Sequence, residues 1–263
     1  MAKKLGFALG SGGSRGVAHI GFLRAMEENG IVPDFISGCS MGSVVGSCYA
    51  KGYETKHMEQ IVKGLTFSDL FDLSFIPIQN GALLRSKKMQ KKLEQYLGET
   101  TFGELKIPFS CVATDVISGK LVVLKNKKEQ VCPAVVASSS IPSIFKPVQY
   151  GEKLLVDGGV LCRVPVDVVR KMGAEVVVAV DALGKIRKCD KKYNMFSLMG
   201  RTFDIVDSEF TKVLMQDQKP DVFIEPDLGD MNQYKFKDID IAIERGYEAG
   251  KQYVKKIKKL ISD

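Results

Sequence analysis

One serine of the chain lies in a pattern that is typical of an enzyme nucleophile. Residues 38–42 read Gly-Cys-Ser-Met-Gly and follow directly after a largely apolar stretch. With Gly38 and Gly42 on either side of Ser40, a strand and a helix can pack closely enough for a sharp turn that exposes the hydroxyl. The free N–H groups at the start of the following helix would stabilise the anion that such a nucleophile generates. Ser40 is therefore the candidate nucleophile.

A serine hydroxyl needs a positioned proton acceptor, and the histidines of this chain are poor candidates for that role. There are only two, His19 and His57, and both precede the acidic candidates, whereas α/β-hydrolases use the order Ser, Asp, His. His19 lies on an apolar helix, and its side chain is expected to be packed or partly buried in the protein interior. His57 lies on a polar helix and is expected at the surface. An ordinary triad is therefore not predicted.

Three aspartates at the ends of predicted strands remain as candidate bases. Asp115 opens a turn and can be explained by capping of its own backbone, and Asp181 can be explained by a role in a loop or a helix cap. Asp157 differs because Gly158 and Gly159 follow it, which lets the chain pass close to the nucleophile. We expect Asp157 to be the base, with its pKa raised by burial, because an aspartate of ordinary acidity accepts protons poorly.

A glycine-rich loop near the amino terminus is the candidate oxyanion hole. Residues 10–16 read Gly-Ser-Gly-Gly-Ser-Arg-Gly between an apolar strand and a helix. A dinucleotide motif would need glycine in place of Arg15, and a P-loop would need Gly-Lys-Ser/Thr. Without Cβ atoms, Gly12 and Gly13 allow their N–H groups to approach a developing negative charge. Arg15 either orders this loop or neutralises an anionic head group.

The elements around these residues alternate between apolar strands and helical periodicity. This order predicts an α/β fold of three layers, with a mostly parallel sheet between helices and the site at the strand carboxyl ends. Strands are expected at 5–9, 34–37, 109–113, 120–124, 153–156, 175–180 and 222–224, and helices at 17–26, 86–96, 131–139 and 193–215, after Ser40 and at the carboxyl terminus. We expect one domain over residues 1–263, with a motif-bearing core at about 5–185 and a helical extension at about 193–263.

Composition restricts the class of protein. The chain has 263 residues, 45% of them hydrophobic, and a formal net charge of +7, which suits a soluble α/β protein with an anionic partner or a lysine-coated surface. Its six cysteines form no C-x-x-C pair, so we expect reduced thiols and a cytoplasmic location, with any lipid contact peripheral. Tryptophan is absent and no nucleic-acid motif occurs, so nucleic acid is not an expected partner.

Two segments have alternative interpretations. Residues 67–76 are rich in large apolar side chains and could form an acyl-chain wall, a lid, or a part of the core. The carboxyl-terminal helix has an apolar face and many lysines. It could pack on its own domain or contact an anionic membrane from the inner face.

The three motifs together resemble those of the patatin-like phospholipases, especially the short bacterial members. The matching residues are the loop 10–16 with Gly16, the turn 38–42 and the Asp-Gly-Gly of residues 157–159, and segments 114–115, 140–142 and 203–205 are also similar. The likeness extends from Leu5 to about Leu228. Serines 11, 140 and 143 depart from residues that are common in the family, which leaves substrate preference open.

The resemblance implies a Ser-Asp dyad that hydrolyses acyl esters of phospholipids or related lipids without a metal or another cofactor. Ser40 matches the nucleophile, Asp157 the base, and Gly12, Gly13 and Arg15 the oxyanion loop. We expect an acyl-enzyme intermediate, with the Met41 N–H as a further oxyanion donor. Two alternatives remain: a hydrolase of small soluble esters or thioesters, and a non-catalytic lipid-binding protein of the same fold. The sequence does not predict head group, chain length or oligomeric state.

Overall fold

A sheet of eight strands lies at the centre of the described part of the protein. The computed structural model describes residues 2–64, 87–142, 144–184, 195–231 and 238–262. The strands are β1 (Leu5–Leu9), β2 (Phe35–Gly38), β3 (Phe109–Asp115), β4 (Lys120–Leu124), β5 (Val148–Tyr150), β6 (Lys153–Asp157), β7 (Val176–Val180) and β8 (Val222–Ile224). All seven predicted strands are confirmed, and the short β5 was missed because three half-exposed residues carry little pattern.

The parallel part of the sheet has the order β3-β2-β1-β7-β8. Leu9 of β1 lies opposite Gly38 of β2 on one side and Val180 of β7 on the other. Every residue of β1 and β7 is buried, as expected for parallel strands that are covered on both faces. The carboxyl ends of these strands therefore lie together at one edge of the sheet.

Strand β3 connects this parallel part to an antiparallel part. β4 pairs with one side of β3, and both β2 and β6 pair with the other side. On that side Cys111 pairs with Gly38 of β2 and Ala113 pairs with Asp157 of β6. β2 runs parallel to β3 and β6 runs antiparallel to it. The carboxyl ends of β2 and β6 therefore meet along β3, only two residues apart, or roughly 7 Å of strand.

Helices cover both faces of the sheet and complete the predicted three layers. They are α1 (Ala18–Glu27), α2 (Met41–Lys51), α3 (Thr55–Lys63), α4 (Lys87–Leu97), α5 (Val131–Ser138), α6 (Val166–Lys171), α7 (Met195–Gln218) and α8 (Ile239–Ser262). Helices α1 to α5 and α8 contribute to a large core with Phe7 and Val178. Helix α6 and Met215 of α7 pack on the opposite face, against Ala8 and Val177.

The carboxyl-terminal helix packs on its own domain. Gly21 of α1 and Gly246 of α8 let the two helices touch, because a Cβ at either position would collide with a backbone carbonyl of the other helix. Ile243 and Ile257 are buried on the apolar face of α8, which confirms the core-packing interpretation. Residues 67–76 lie outside the described part of the chain. No described helix is both long and apolar enough to span a bilayer.

Candidate active site

Ser40 lies at a strained turn between β2 and α2. Its φ of 52° and ψ of −125° are rarely adopted by residues other than glycine, and such strain is typical of functional turns. A Cβ at Gly38 would lie 2.6 Å from the Cα of Ser43, and one at Gly42 would collide with the carbonyl oxygen of Leu9. Both glycines of the sequence pattern are therefore required by the close approach of strand and helix.

Hydrogen bonds hold the Ser40 backbone from both sides. The Ser40 N–H donates to Oγ of Ser138 at 3.1 Å, and the Ser40 carbonyl accepts from the hydroxyl of Ser43 at 2.6 Å. Ser138, at the end of α5, was not identified from the sequence because its contact is made across the fold. These bonds fix the direction in which the Ser40 side chain leaves the turn.

Asp157 ends β6 beside this turn. Its Oδ1 accepts a hydrogen bond from the Gly159 N–H at 2.8 Å and a longer one from the Cys39 thiol at 3.7 Å. Its Oδ2 is buried and has no hydrogen-bond partner within the described ranges. A Cβ at Gly158 would collide with the carbonyl oxygen of Val112, so the first glycine after Asp157 is also needed for close packing.

The Asp157 carboxyl group is less acidic than an ordinary aspartate. Burial raises its pKa to about 6, while hydrogen bonding to Ser40, to the Gly159 N–H and to Cys39 lowers the pKa, and the charge of Asp207 raises it. The Ser40 hydroxyl thus lowers the pKa of the carboxyl group, although Oδ2 accepts no hydrogen bond from any described residue. Catalytic hydrogen bonds are often loose before substrate binds.

The glycine loop lies against the nucleophile turn. The N–H groups of Gly12, Gly13 and Met41 donate no hydrogen bond to any residue that the structure describes. A Cβ at Gly16 would lie 2.5 Å from Cβ of Met41, so the loop and the first turn of α2 are in direct contact. Gly13 has a φ of 52°, which favours glycine. The three N–H groups therefore have no hydrogen-bond partner among the described residues, and their role as oxyanion donors stays a prediction.

Arg15 is partly buried, and its own N–H donates to the carbonyl of Gly12 at 3.0 Å. This bond closes the turn that carries Gly12 and Gly13. Because this bond comes from the backbone, the role of the Arg15 side chain stays a prediction.

Neither histidine lies in this arrangement as a base. His19 is fully buried, and its Nε2–H donates to the carbonyl of Gly10 at 2.8 Å, because a carbonyl can only accept. Burial lowers its pKa to about 4, so the ring is neutral at pH 7 and supports the glycine loop from behind. His57 is exposed and stacks on Tyr53 at 5.5 Å between ring centroids. Both expectations for the histidines are confirmed.

Asp115 has the turn-capping role expected for it. Its carboxylate accepts hydrogen bonds from the hydroxyl of Ser118 at 2.6 Å and from the N–H groups of Ile117 and Leu154 at 3.2 Å each. The Ser118 bond lowers the pKa of Asp115. This carboxylate is therefore a poorer proton acceptor than Asp157.

Asp181 belongs to a buried ionic cluster that the sequence did not reveal. The Arg163 guanidinium binds both oxygens of Asp181, with Nε at 3.0 Å from Oδ1, and its Nη1 lies 3.0 Å from Asp207 of α7. The Arg163 carbonyl accepts the Ser11 N–H at 2.9 Å, which ties the cluster to the glycine loop. Burial raises the pKa of Asp207 to about 6. In the sequence, the one sign of this cluster is that an arginine, Arg163, follows the Asp-Gly-Gly motif.

Comparisons with known proteins extend these observations. A family model described as patatin-like phospholipase matches residues 7–170. An uncharacterised NTE-family protein of Mycobacterium tuberculosis is 34% identical over 183 residues, which cover 69% of this chain and 49% of the relative. The lysophospholipase NTE1 of Scheffersomyces stipitis is 30% identical over 184 residues, which cover 67% of this chain and 12% of that protein. The chain thus spans about half the length of the mycobacterial relative.

Solved structures show the same fold at low sequence identity. VipD from Legionella pneumophila has a TM-score of 0.60 at 13% identity, over 97% of this chain and 67% of VipD. A chain of the ExoU–SpcU complex from Pseudomonas aeruginosa has a TM-score of 0.52 at 13% identity, over all of this chain and 53% of that one. Because the family model matches residues 7–170, which are more than half of the chain, the chain belongs to the patatin-like phospholipase family.

Proposed function

We propose that this protein is a serine hydrolase that cleaves acyl esters of phospholipids or lysophospholipids through a Ser40–Asp157 dyad. The observation that carries the proposal is the buried Asp157 carboxyl, with a pKa near 6 and an unpartnered Oδ2, beside a strained serine. A carboxylate of this kind can accept a proton at neutral pH without help from histidine. The second requirement, a site for the oxyanion, is assigned to the N–H groups of Gly12, Gly13 and Met41, which have no hydrogen-bond partner among the described residues.

The first half of the reaction forms an acyl-enzyme. Asp157 accepts the Ser40 proton while Oγ attacks the ester carbonyl, and the N–H groups of Gly12, Gly13 and Met41 bind the resulting oxyanion. When the tetrahedral intermediate collapses, the carbon–oxygen bond to the leaving alcohol breaks. The protonated Asp157 returns its proton to that alcohol, which leaves as a lysophospholipid or a glycerophospho-compound.

The second half releases the fatty acid. Asp157, again ionised, accepts a proton from a water molecule that attacks the acyl carbonyl, and the same N–H groups bind the second oxyanion. Collapse returns the proton to Oγ of Ser40 and frees the acid. The dyad thus ends in its starting protonation state, and no cofactor enters the balance.

Lipid substrates are favoured over small soluble esters by the relatives. The family model is named for phospholipases, and the yeast relative is named a lysophospholipase. We infer the same substrate class here, with residues 1–263 acting as one domain. Chain-length profiling tests it: turnover of nitrophenyl esters and of micellar lysophospholipid should favour long acyl chains. A preference for short soluble esters would support the esterase alternative instead.

A fluorophosphonate probe tests the chemistry directly. The wild-type protein should gain one adduct in intact-mass spectra, mapped to Ser40, and Ser40→Ala should gain none. Asp157→Asn keeps the size of the side chain but removes the base, so labelling should be slowed at least a hundredfold. Asp115→Asn is the matched control and should label at the wild-type rate. Absence of labelling in folded wild-type protein would favour the non-catalytic alternative.

A further inference from the structure

The side chain of Cys39, the residue before Ser40, is completely buried beside the candidate base. Its backbone is held from two directions: the N–H donates to the carbonyl of Leu9 at 3.0 Å, and the carbonyl accepts from the N–H of Gly42 at 2.9 Å. The position of the thiol is therefore set by β1 on one side and by the first turn of α2 on the other. The proposed reaction assigns no part to this thiol.

The Asp157 carboxyl group is bound asymmetrically by the described residues. Its Oδ1 accepts the Gly159 N–H at 2.8 Å and the Cys39 thiol at 3.7 Å, and the longer distance reflects the larger size of sulfur. Its Oδ2 is buried and accepts no hydrogen bond from any described residue. Two donors on one oxygen oppose rotation of the carboxyl group, so Oδ2 is the oxygen left to take a proton.

The Cys39 thiol keeps its proton at neutral pH. Burial, followed by the negative charge of Asp157, raises the pKa of Cys39 well above its ordinary value. Because the thiolate is the reactive form of cysteine, this residue is a poor nucleophile. A protonated thiol can instead donate to a carboxylate. The S–H group therefore remains available to Oδ1 across the pH range in which Asp157 ionises.

We propose that Cys39 is a positioning residue, whose thiol holds Asp157 through Oδ1 so that Oδ2 is left to accept the Ser40 proton. The inference deepens the proposed function and rests on it. A donor to the ionised carboxylate also stabilises that form, so loss of the thiol should make Asp157 less acidic. Two other groups that act on the carboxyl stay in place in such a variant: the hydroxyl of Ser40 and the charge of Asp207 on α7, which is paired with Arg163.

Titration of the Asp157 carboxyl tests the contact without any need for catalysis. The probe is the NMR signal of the full chain labelled with a carbon isotope at its aspartate carboxyl groups, with Asp157→Asn to assign the resonance. In the wild-type protein Asp157 should titrate with a pKa of about 6. In Cys39→Ala the midpoint should move to higher pH by roughly half a unit or more, because a donor to the charged form is lost.

The rate of fluorophosphonate labelling at Ser40 tests the orientation. At about pH 8 the Asp157 carboxyl is ionised in both proteins, so a rate at least about threefold lower in Cys39→Ala reports the loss of orientation. At about pH 6 the variant should lose roughly a further twofold, because a smaller fraction of its Asp157 is ionised. A role of Cys39 in packing alone would not produce this dependence on pH.

Cys162→Ala is the matched control. Cys162 packs in the same small apolar cluster as Cys39, and its thiol donates to the carbonyl of Val164 at 3.8 Å. The variant removes the same atom from the same cluster without removing a donor to Asp157, so its titration midpoint and labelling rate should equal those of the wild type. Melting temperatures by circular dichroism show whether the variants are folded. Cys39→Val, which fills the space without a donor, replaces Cys39→Ala if that variant unfolds.

Three results would overturn the proposal. One is the same titration midpoint in Cys39→Ala and in the wild type, which would mean that the thiol does not donate to the carboxyl. Another is equal labelling of the two proteins at about pH 8, which would mean that the thiol does not orient the carboxyl. The third is an equal change in Cys162→Ala, which would assign the effect to packing. Absence of labelling in the wild type would refute the dyad instead, and the titration would still decide whether Cys39 holds Asp157.

Discussion

Acidification should inactivate the protein by protonating Asp157. Burial raises its pKa from 3.8 to about 6, and the carboxyl must be ionised to accept the Ser40 proton. At about pH 5, one unit below this pKa, only about a tenth of the molecules carry an ionised Asp157. The value of kcat/KM should therefore be roughly tenfold lower at about pH 5 than at about pH 8.

The assay is a pH profile of kcat/KM with a neutral nitrophenyl ester, read at the isosbestic wavelength of nitrophenol so that product ionisation does not interfere. Because the substrate has no ionisable group, the fall of kcat/KM at low pH reports the pKa of the base in the free enzyme. Activity that stays constant down to about pH 4 would refute the reasoning, because it would mean an ordinary aspartate or a different base.

The same pKa shift predicts a stability effect of definite sign. Between pH 3.8 and about 6 the Asp157 carboxyl binds more protons in the folded protein than in the unfolded chain, so its contribution to the free energy of unfolding falls as pH rises through this range. The total loss is about 3 kcal/mol. Asp157→Asn, which stays neutral, should raise stability at about pH 8 by up to about 3 kcal/mol and have no effect at about pH 3.

Asp115→Asn is the control of opposite sign. The pKa of Asp115 is lowered by the Ser118 hydroxyl, so its ionised form stabilises the fold above its unfolded pKa and that contribution is lost as pH falls through the folded pKa. Removing the charge should lower stability at neutral pH. Urea unfolding at several pH values measures both variants, and the same sign for both would contradict the assignment.

Further predictions concern the loop and its supports. Gly12→Ala places a Cβ 2.7 Å from the Cα of Gly16, so kcat should fall about a hundredfold, roughly 3 kcal/mol of barrier, in steady-state assays. His57→Ala should leave kcat and stability unchanged, whereas His19→Ala removes the bond to the glycine loop and should lower the melting temperature while retaining probe labelling of Ser40. Arg163→Met leaves the buried carboxylates without their cation and should destabilise the protein by about 3–5 kcal/mol in urea unfolding. A melting temperature unaffected by Arg163→Met would contradict the structural role of the ionic cluster.

The sequence predicted the positions of the main elements and the local features of the site, because these depend on neighbours in the chain. The turn at Ser40 and the close approach at Gly42 and Gly158 follow from glycines at fixed offsets. The two helical layers follow from strands that alternate with helical periodicity. The choice of Asp157 as candidate base followed from the two glycines after it, and its activity is still a prediction.

Contacts between distant segments could not be predicted from one sequence. Ser138 reaches Ser40 only because α5 packs against α2, the helix that begins directly after Ser40. Arg163, Asp181 and Asp207 come from three separate segments of the chain that meet only in the folded protein. Periodicity predicted a helix at α7, but a period does not reveal which side faces the protein. In α7, Asp207 and Met215 face the protein, whereas Phe203 and Val206 are exposed.

The meeting of β2 and β6 along β3 has a consequence for motion during turnover. Gly38 and Asp157 pair with the same strand, two residues apart, so the register along β3 fixes how the segments that carry Ser40 and Asp157 lie relative to each other. Movement of loops or helices elsewhere in the protein would leave this pairing along β3 unchanged. The relative position of the two candidate residues is therefore a property of the sheet itself.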